Sequence, residues 1–298
     1  MSGAAMQADL LVDCANLLGE GVQWDEDHQR VWWTDIHGRA LWSCDADGGD
    51  VAKIETAERL GSFAFDPDNN LLAAFESGLF RWDLDRDRLE RLTDFEPKHP
   101  TSRYNDGRCD RQGRFIVGGI DEKDVRHQTS TLTRYDGAVE TLREGIGCTN
   151  SLCLSPDGRW MYFTDTPTLK ILRFPYDPAT GALGPEEVFF SVDAGEGFPD
   201  GSCVDAKGAL WNARFHGRRV QQIHADGTEG LRIDVDAPQV TCACFGGAKL
   251  DRMFITTARE NMTENAIARA PLSGGLFVAE PGVTGLPETR YATRLFTR

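Results

Sequence analysis

The 298-residue chain has no CxxC pair, no run of basic residues and no window of 18 uninterrupted apolar residues. Each absence removes a class of function. Without long apolar runs no helical membrane span is expected. Without basic runs, and with a formal net charge of −15, the surface repels phosphate backbones and anionic lipid. Nucleic acid and membranes are therefore excluded as expected partners. No GxSxG occurs, so a nucleophile elbow is excluded. No HExxH occurs and the six histidines are scattered, though His37 and His216 are candidates to line a cavity. GIGCTN at 145–150 lacks the third glycine and following helix of a dinucleotide loop. DLDRD at 83–87 has Arg88 where a calcium-binding EF-hand loop needs glycine. The N-terminal stretch lacks a basic segment followed by a long apolar one. The eight cysteines follow no regular framework, which points to reduced, buried thiols and a cytoplasmic location.

What is present is a repeat. Short turns followed by an apolar or aromatic strand start at Asp25, Asp66, Asp110, Ser155, Asp205 and Gly246, at intervals of 41, 44, 45, 50 and 41 residues. After each comes a second alternating strand ending in an Asp, Gly or Pro turn: ALWSCD, GLFRWD, TLTRYD, KILRFPYD, RVQQIHADG and GLFVAEPG. Period-two alternation rich in Val, Ile, Phe, Trp and Tyr reads as strand rather than helix. A unit of this length, repeated six times, is a propeller blade. A β-sandwich with accidental spacing would match one or two of these pairs, not six. The expected fold is all-β: a six-bladed β-propeller with four-stranded antiparallel blades, a single domain over residues 1–298. The seven tryptophans are then expected to pack between blades.

Five residues before each turn lies one structural phase, occupied by Glu20, Gly61, Asn105, Asn150, Asp200 and Thr241. This phase is expected to precede the innermost strand, at the mouth of the central channel. Four blades thus present a carboxylate or carboxamide, with Gly61 expected to leave room for a ligand. An oxygen-only donor set of this kind suits Ca²⁺, Mg²⁺ or Mn²⁺. Two carboxylates facing each other without a cation would repel.

The stretches LGEGVQW, RYNDGRCD, TNSLCLSPDGRWMYFTDT and PDGSCVDAKGALWNA resemble the gluconolactonase/regucalcin (SMP-30) family of six-bladed propellers, and bacterial sugar-acid lactonases most of all. The resemblance implies that Glu20, Asn150 and Asp200 bind one divalent metal, with Zn²⁺ and Fe²⁺ as further candidates. It implies that Asp200 also serves as acid/base, and that Arg103 and Asn105 contact substrate. The family's GEGP is GEGV here, with Val22 in place of proline. The family's substrate-touching glutamate, 18 residues after the asparagine, falls on Lys123, and a loop shift would instead bring in Asp121 or Glu122. Lys123, Arg126 and His127 would form a cationic rim for an acidic or sulfonated lactone, or else a solvated loop. The implied activity is metal-dependent hydrolysis of a sugar lactone by a monomer or homodimer. An organophosphate- or luciferin-type esterase, or a non-enzymatic Ca²⁺-binding propeller, are the alternatives.

Overall fold

The computed structural model describes residues 5–96, 99 and 101–292. Six antiparallel sheets form six blades, numbered here in chain order. Blade one comprises Gly19–Asp25, Arg30–Asp35, Ala40–Asp45 and Ala52–Glu55, and blade two Leu60–Phe65, Leu71–Phe75, Gly78–Asp83 and Arg88–Arg91. Blade three comprises Ser102–Cys109, Phe115–Asp121, Ser130–Tyr135 and Val139–Ile146, and blade four Thr149–Leu154, Trp160–Asp165, Lys170–Pro175 and Glu187–Ser191. Blade five is Phe198–Val204, Leu210–Phe215, Arg219–Ile223 and Glu229–Asp234; blade six begins with Val240–Gly246, Arg252–Thr257 and Leu276–Ala279.

The expected turn residues hold the hairpins between the first two strands by local hydrogen bonds. Oδ1 of Asp66 accepts from the Asp68 and Asn70 backbone N–H groups, and Oδ1 of Asp110 from those of Gln112 and Arg114. Asp205 does the same for Lys207 and Ala209. These are Asx turns, in which a short acidic side chain replaces a backbone partner. Between blades the aromatic residues pack as expected. Trp24 of blade one stacks on Phe254 of blade six at 5.8 Å, and Trp211 of blade five meets Phe245 of blade six edge-on. Cys242 and Cys244 share the blade one–six cluster, and all eight cysteines are free thiols.

The ring closes with segments that the repeat does not contain. Asp9–Val12 pairs antiparallel with Leu276–Ala279 and supplies the outer strand of blade six. Ala5–Gln7 adds a parallel fifth strand to blade five. At the other end of the chain, residues 284–292 run across the hairpin-turn face. Ala206 N–H donates to Thr284 O, Gly285 N–H to Leu250 O, Tyr291 N–H to Phe65 O and Ala292 N–H to Gly113 O. Arg290 reaches Asp25, the Asp66 carbonyl and Asn69. Glu288 meets Arg108 at 2.7 Å beneath the channel. Among the described residues, no helix is long and apolar enough to cross a membrane.

One departure from ideal pairing recurs in every blade. Register between first and second strands shifts between Glu20 and Gln23, Leu60 and Ser62, Tyr104 and Gly107, Asn150 and Cys153, Pro199 and Ser202, and Val240 and Cys242. Each shift inserts one extra residue in the innermost strand, which is a β-bulge. Bulges re-aim side chains, and here they fall on the phase picked out by the turn spacing.

Candidate functional site

Glu20, Asn105, Asn150 and Asp200 all sit at these bulges, at the end of the channel opposite the hairpin turns. They lie within the innermost strands rather than before them: Asp200 is the third residue of Phe198–Val204. The difference has a simple cause, since the bulge lets the strand continue past the re-aimed residue.

The polar contacts are specific. Asn105 Nδ2 donates to the Thr149 carbonyl at 2.9 Å and lies 3.3 Å from Asn150 Oδ1. Arg103 Nη1 donates to Asn105 Oδ1 at 2.7 Å. Asn150 Nδ2 donates to Thr166 Oγ1 at 2.9 Å, and Thr166 Oγ1 donates onward to the Pro199 carbonyl at 3.0 Å. That chain has one polarity. The Thr166 proton is committed to Pro199, so its oxygen can only accept from Asn150. The Asn150 amide oxygen is thereby left on the side facing Asn105.

Electrostatics set the site apart. Burial pushes the Glu20 carboxyl up to about 8, and the Asp106 carboxylate adds to the rise, while the Gly21 N–H and Arg103 oppose it. Burial also raises Asp200 well above its ordinary value, with Glu20, Asp106 and Glu260 reinforcing the effect. Asp106 is raised for the same first reason, opposed by Arg108 and the Leu152 N–H. The two nearby guanidinium groups are already engaged: Arg103 Nε pairs with Glu122 at 2.8 Å and Arg108 with Glu288. The donor set therefore fits a divalent cation on the structure's own terms. Desolvated carboxyls raise one another, the guanidinium groups of Arg103 and Arg108 offset this only in part, and an amide oxygen stands beside them. Glu20, Asn150 and Asp200 are the residues that would hold it. Among the described residues no cluster of three or more His, Cys, Asp and Glu side chains has metal-binding geometry.

The remaining expected residues are placed as follows. Gly61 leaves no gap. A Cβ built there would lie 2.4 Å from the Tyr104 carbonyl oxygen, so blade three's backbone fills the space and glycine permits that approach. Thr241 donates to the Gly19 carbonyl at 2.5 Å and ties blade six to blade one. Lys123 is exposed, its backbone N–H bonds Asp121, and its side chain makes no ion pair with the described residues. Its neighbour Glu122 is the residue that reaches the site, bridging Arg103 and Arg59, each at 2.8 Å. Arg126 pairs with Asp124, and His127 approaches Asp121 and Asp124, so much of the rim's positive charge is compensated locally. His37 bonds Glu260 at 2.9 Å, and His216 lies edge-on to Phe215. Thr166, Asp106 and Glu260 were not singled out from the sequence. Asp106 lies inside the quoted RYND stretch, whereas Thr166 and Glu260 sit in loops whose positions carry no periodic signal.

Comparison with known proteins bears on the fold and the family. The family model described as the SMP-30/gluconolactonase/LRE-like region matches residues 18–259. The chain is 37% identical to L-arabinolactonase of Azospirillum brasilense over 97% of this chain and 96% of that protein. It is 32% identical to 6-deoxy-6-sulfogluconolactonase of Pseudomonas putida, over 93% of this chain and 96% of that one. Among solved structures, a calcium-binding protein, regucalcin, from Agrobacterium tumefaciens superposes with a TM-score of 0.94 at 31% identity, covering 99% and 100% of the two chains. Fold and full-length similarity coincide, and the chain belongs to the SMP-30/gluconolactonase/LRE-like family.

Proposed function

We propose that the protein hydrolyses a sugar lactone to the corresponding aldonic acid, using one divalent cation held by Glu20, Asn150 and Asp200. The observation that carries this reading is the grouping of two desolvated carboxyls, Glu20 and Asp200, with the Asn105 and Asn150 amides and Arg103 on the bulges of the innermost strands. The lactonase names of full-length relatives support the substrate class.

A lactone is a cyclic ester. When bound, the cation supplies Lewis acidity toward the carbonyl oxygen and steadies the negative charge that develops there. The side chains do the rest. Asp200 accepts a proton from the attacking water as its oxygen bonds to the carbonyl carbon. It returns that proton to the ring oxygen as the C–O bond breaks, so the alkoxide leaves as a hydroxyl. Arg103 and Asn105 hold sugar hydroxyls and keep the ester within attack distance. Glu122 fixes the Arg103 guanidinium from the rim through its 2.8 Å contact.

The test is a pH-stat panel of pentono-, hexono- and acidic aldonolactones on stripped protein, with Ca²⁺, Mg²⁺, Mn²⁺, Zn²⁺ or Fe²⁺ added back. Activity with at least one neutral lactone, lost on chelation and restored by an ion, is expected. Preference for acidic or sulfonated lactones would give the exposed Lys123 a role. Activity only on organophosphate or luciferin-type esters, tight Ca²⁺ binding without turnover, or full activity in chelator would each overturn the reading.

A further inference from the structure

A bulge releases backbone groups from the sheet ladder, and buried groups so released need other partners. Two of them lie beside the site. The Leu152 N–H is taken by the Asp106 carboxylate of blade three at 2.9 Å. The Asp200 carbonyl accepts from Ser151 Oγ of blade four at 2.7 Å and from Asn212 Nδ2 at 2.9 Å. Asn212 Nδ2 also lies 3.0 Å from Ser151 Oγ and 2.9 Å from Ser202 Oγ, and Ser202 Oγ donates to Ser151 Oγ at 3.1 Å. Ser151 and Asn212 are wholly inaccessible to solvent and Ser202 nearly so. The bulges carrying Asn150 and Asp200 are thus knotted together behind the side chains that face the channel.

Ser151 occupies this place at a cost. Its φ is +59°, in the left-handed region that serine seldom adopts, while the equivalent slot of blade one holds Gly21 with φ +58°. Glycine meets the backbone requirement without strain. Serine there adds only the hydroxyl, and that hydroxyl is spent on the Asp200 carbonyl. Unlike the turn residues of this chain that share this conformation, Ser151 holds it inside an innermost strand.

We propose that Ser151, together with Asn212 and Ser202, is a positioning residue. Its hydroxyl locks the Asp200 bulge to the Asn150 bulge and so sets the affinity of the site for a divalent cation. This inference rests on the metal-binding reading above.

Ser151→Gly is the informative variant. It keeps the left-handed backbone, removes its steric cost and deletes only the tie. Asn212→Val removes the amide side of the same knot. Thr133→Val serves as a control, because it deletes a buried hydroxyl bond to the Val117 carbonyl, 3.0 Å long, away from the bulges of blades four and five. Ca²⁺ and Mn²⁺ are titrated by calorimetry into chelator-stripped full-length protein, alongside thermal unfolding. Ser151→Gly and Asn212→Val should each bind the ion roughly 10-fold or more weakly, the scale of effect of groups that orient metal ligands. Ser151→Gly should do so without a lower melting temperature, and Thr133→Val should retain wild-type affinity despite losing stability. The inference fails if both knot variants bind within about two-fold of wild type. It also fails if Thr133→Val loses as much affinity as they do. A wild-type protein that binds neither ion would instead overturn the metal-binding reading, before any variant is compared.

Discussion

Removing divalent cations should make the protein less stable as pH rises from about 5 to about 8, and Glu20 should be a principal cause. Folding raises its carboxyl from an ordinary 4.5 to about 8, through burial first and the Asp106 carboxylate second. Between those values the folded chain holds a proton that the unfolded chain has released. Raising pH in that window therefore favours unfolding. The contribution is intact below the unfolded value and gone above the folded one. A rise of this size corresponds to about 5 kcal/mol as a ceiling, a large share of the ~5–15 kcal/mol that holds a typical domain together. Asp200 shifts in the same direction, with Glu20 among its causes. The assay is urea unfolding in chelator at pH 5.5 and 8.5, comparing wild type with Glu20→Gln. Glutamine keeps the shape and cannot ionise, so comparing the two proteins cancels most other titrating groups. At pH 8.5 the variant should gain roughly 2–5 kcal/mol relative to wild type, and at pH 5.5 much less. Added Ca²⁺ should stabilise wild type most at the higher pH and the variant little. Equal pH slopes for the two metal-free proteins would refute the reasoning, because Glu20 would then not be desolvated among carboxylates.

Three further outcomes are expected. Asp200→Asn should preserve the fold and reduce lactone turnover by ~10²–10⁴, the range of a lost general acid–base, read by pH-stat at saturating metal. Thr166→Val should free the Asn150 amide to rotate and weaken ion binding roughly 10-fold by calorimetry, with only a small change in melting temperature. Glu288→Ala should remove the ion-pair partner of Arg108 beneath the channel and cost ~3 kcal/mol in urea unfolding, with the ion affinity of the site close to wild type.

The fold was legible because its signals are local. An Asx turn is built from residues two and four positions apart, so Asp66, Asp110 and Asp205 announce their hairpins in the sequence itself. The phase of Glu20, Asn105, Asn150 and Asp200 was legible for the same reason, being counted from those turns. Contacts between distant segments were not. Asp9–Val12 pairs with a strand more than 260 residues away, and its short partly exposed stretch has no pattern that names its partner. The strap over residues 284–292 is held largely through backbone N–H groups, which every sequence possesses. Gly61 shows a subtler limit. A missing side chain looks like room, and only the neighbouring blade reveals that a carbonyl fills it. Glu122 shows another, since counting along a loop is uncertain by a residue and the side chain that reaches Arg103 is one position earlier than Lys123.

The innermost strands carry acidic residues at both ends, and hydrogen-bond accounting separates the two ends. At the turn end, Asp110 receives the Gln112 and Arg114 backbone N–H groups, the Arg114 guanidinium and the Tyr176 hydroxyl. Asp205 receives two backbone N–H groups and the Trp211 indole, while Asp25 faces His28 and Arg290. Those oxygens are spent, and the C-terminal strap lies across them. At the bulge end Glu20 takes the adjacent Gly21 N–H at 3.1 Å, and Asp200 takes that of Gly201. Both are desolvated, and the charge of Glu20 raises Asp200 further. A carboxylate with its acceptors filled supports a turn. One left short of donors, beside another of the same charge, stores an unfavourable interaction that a divalent cation would relieve. The same side-chain chemistry on the same six strands therefore yields a scaffold at one end and, on the proposed reading, a cation site at the other.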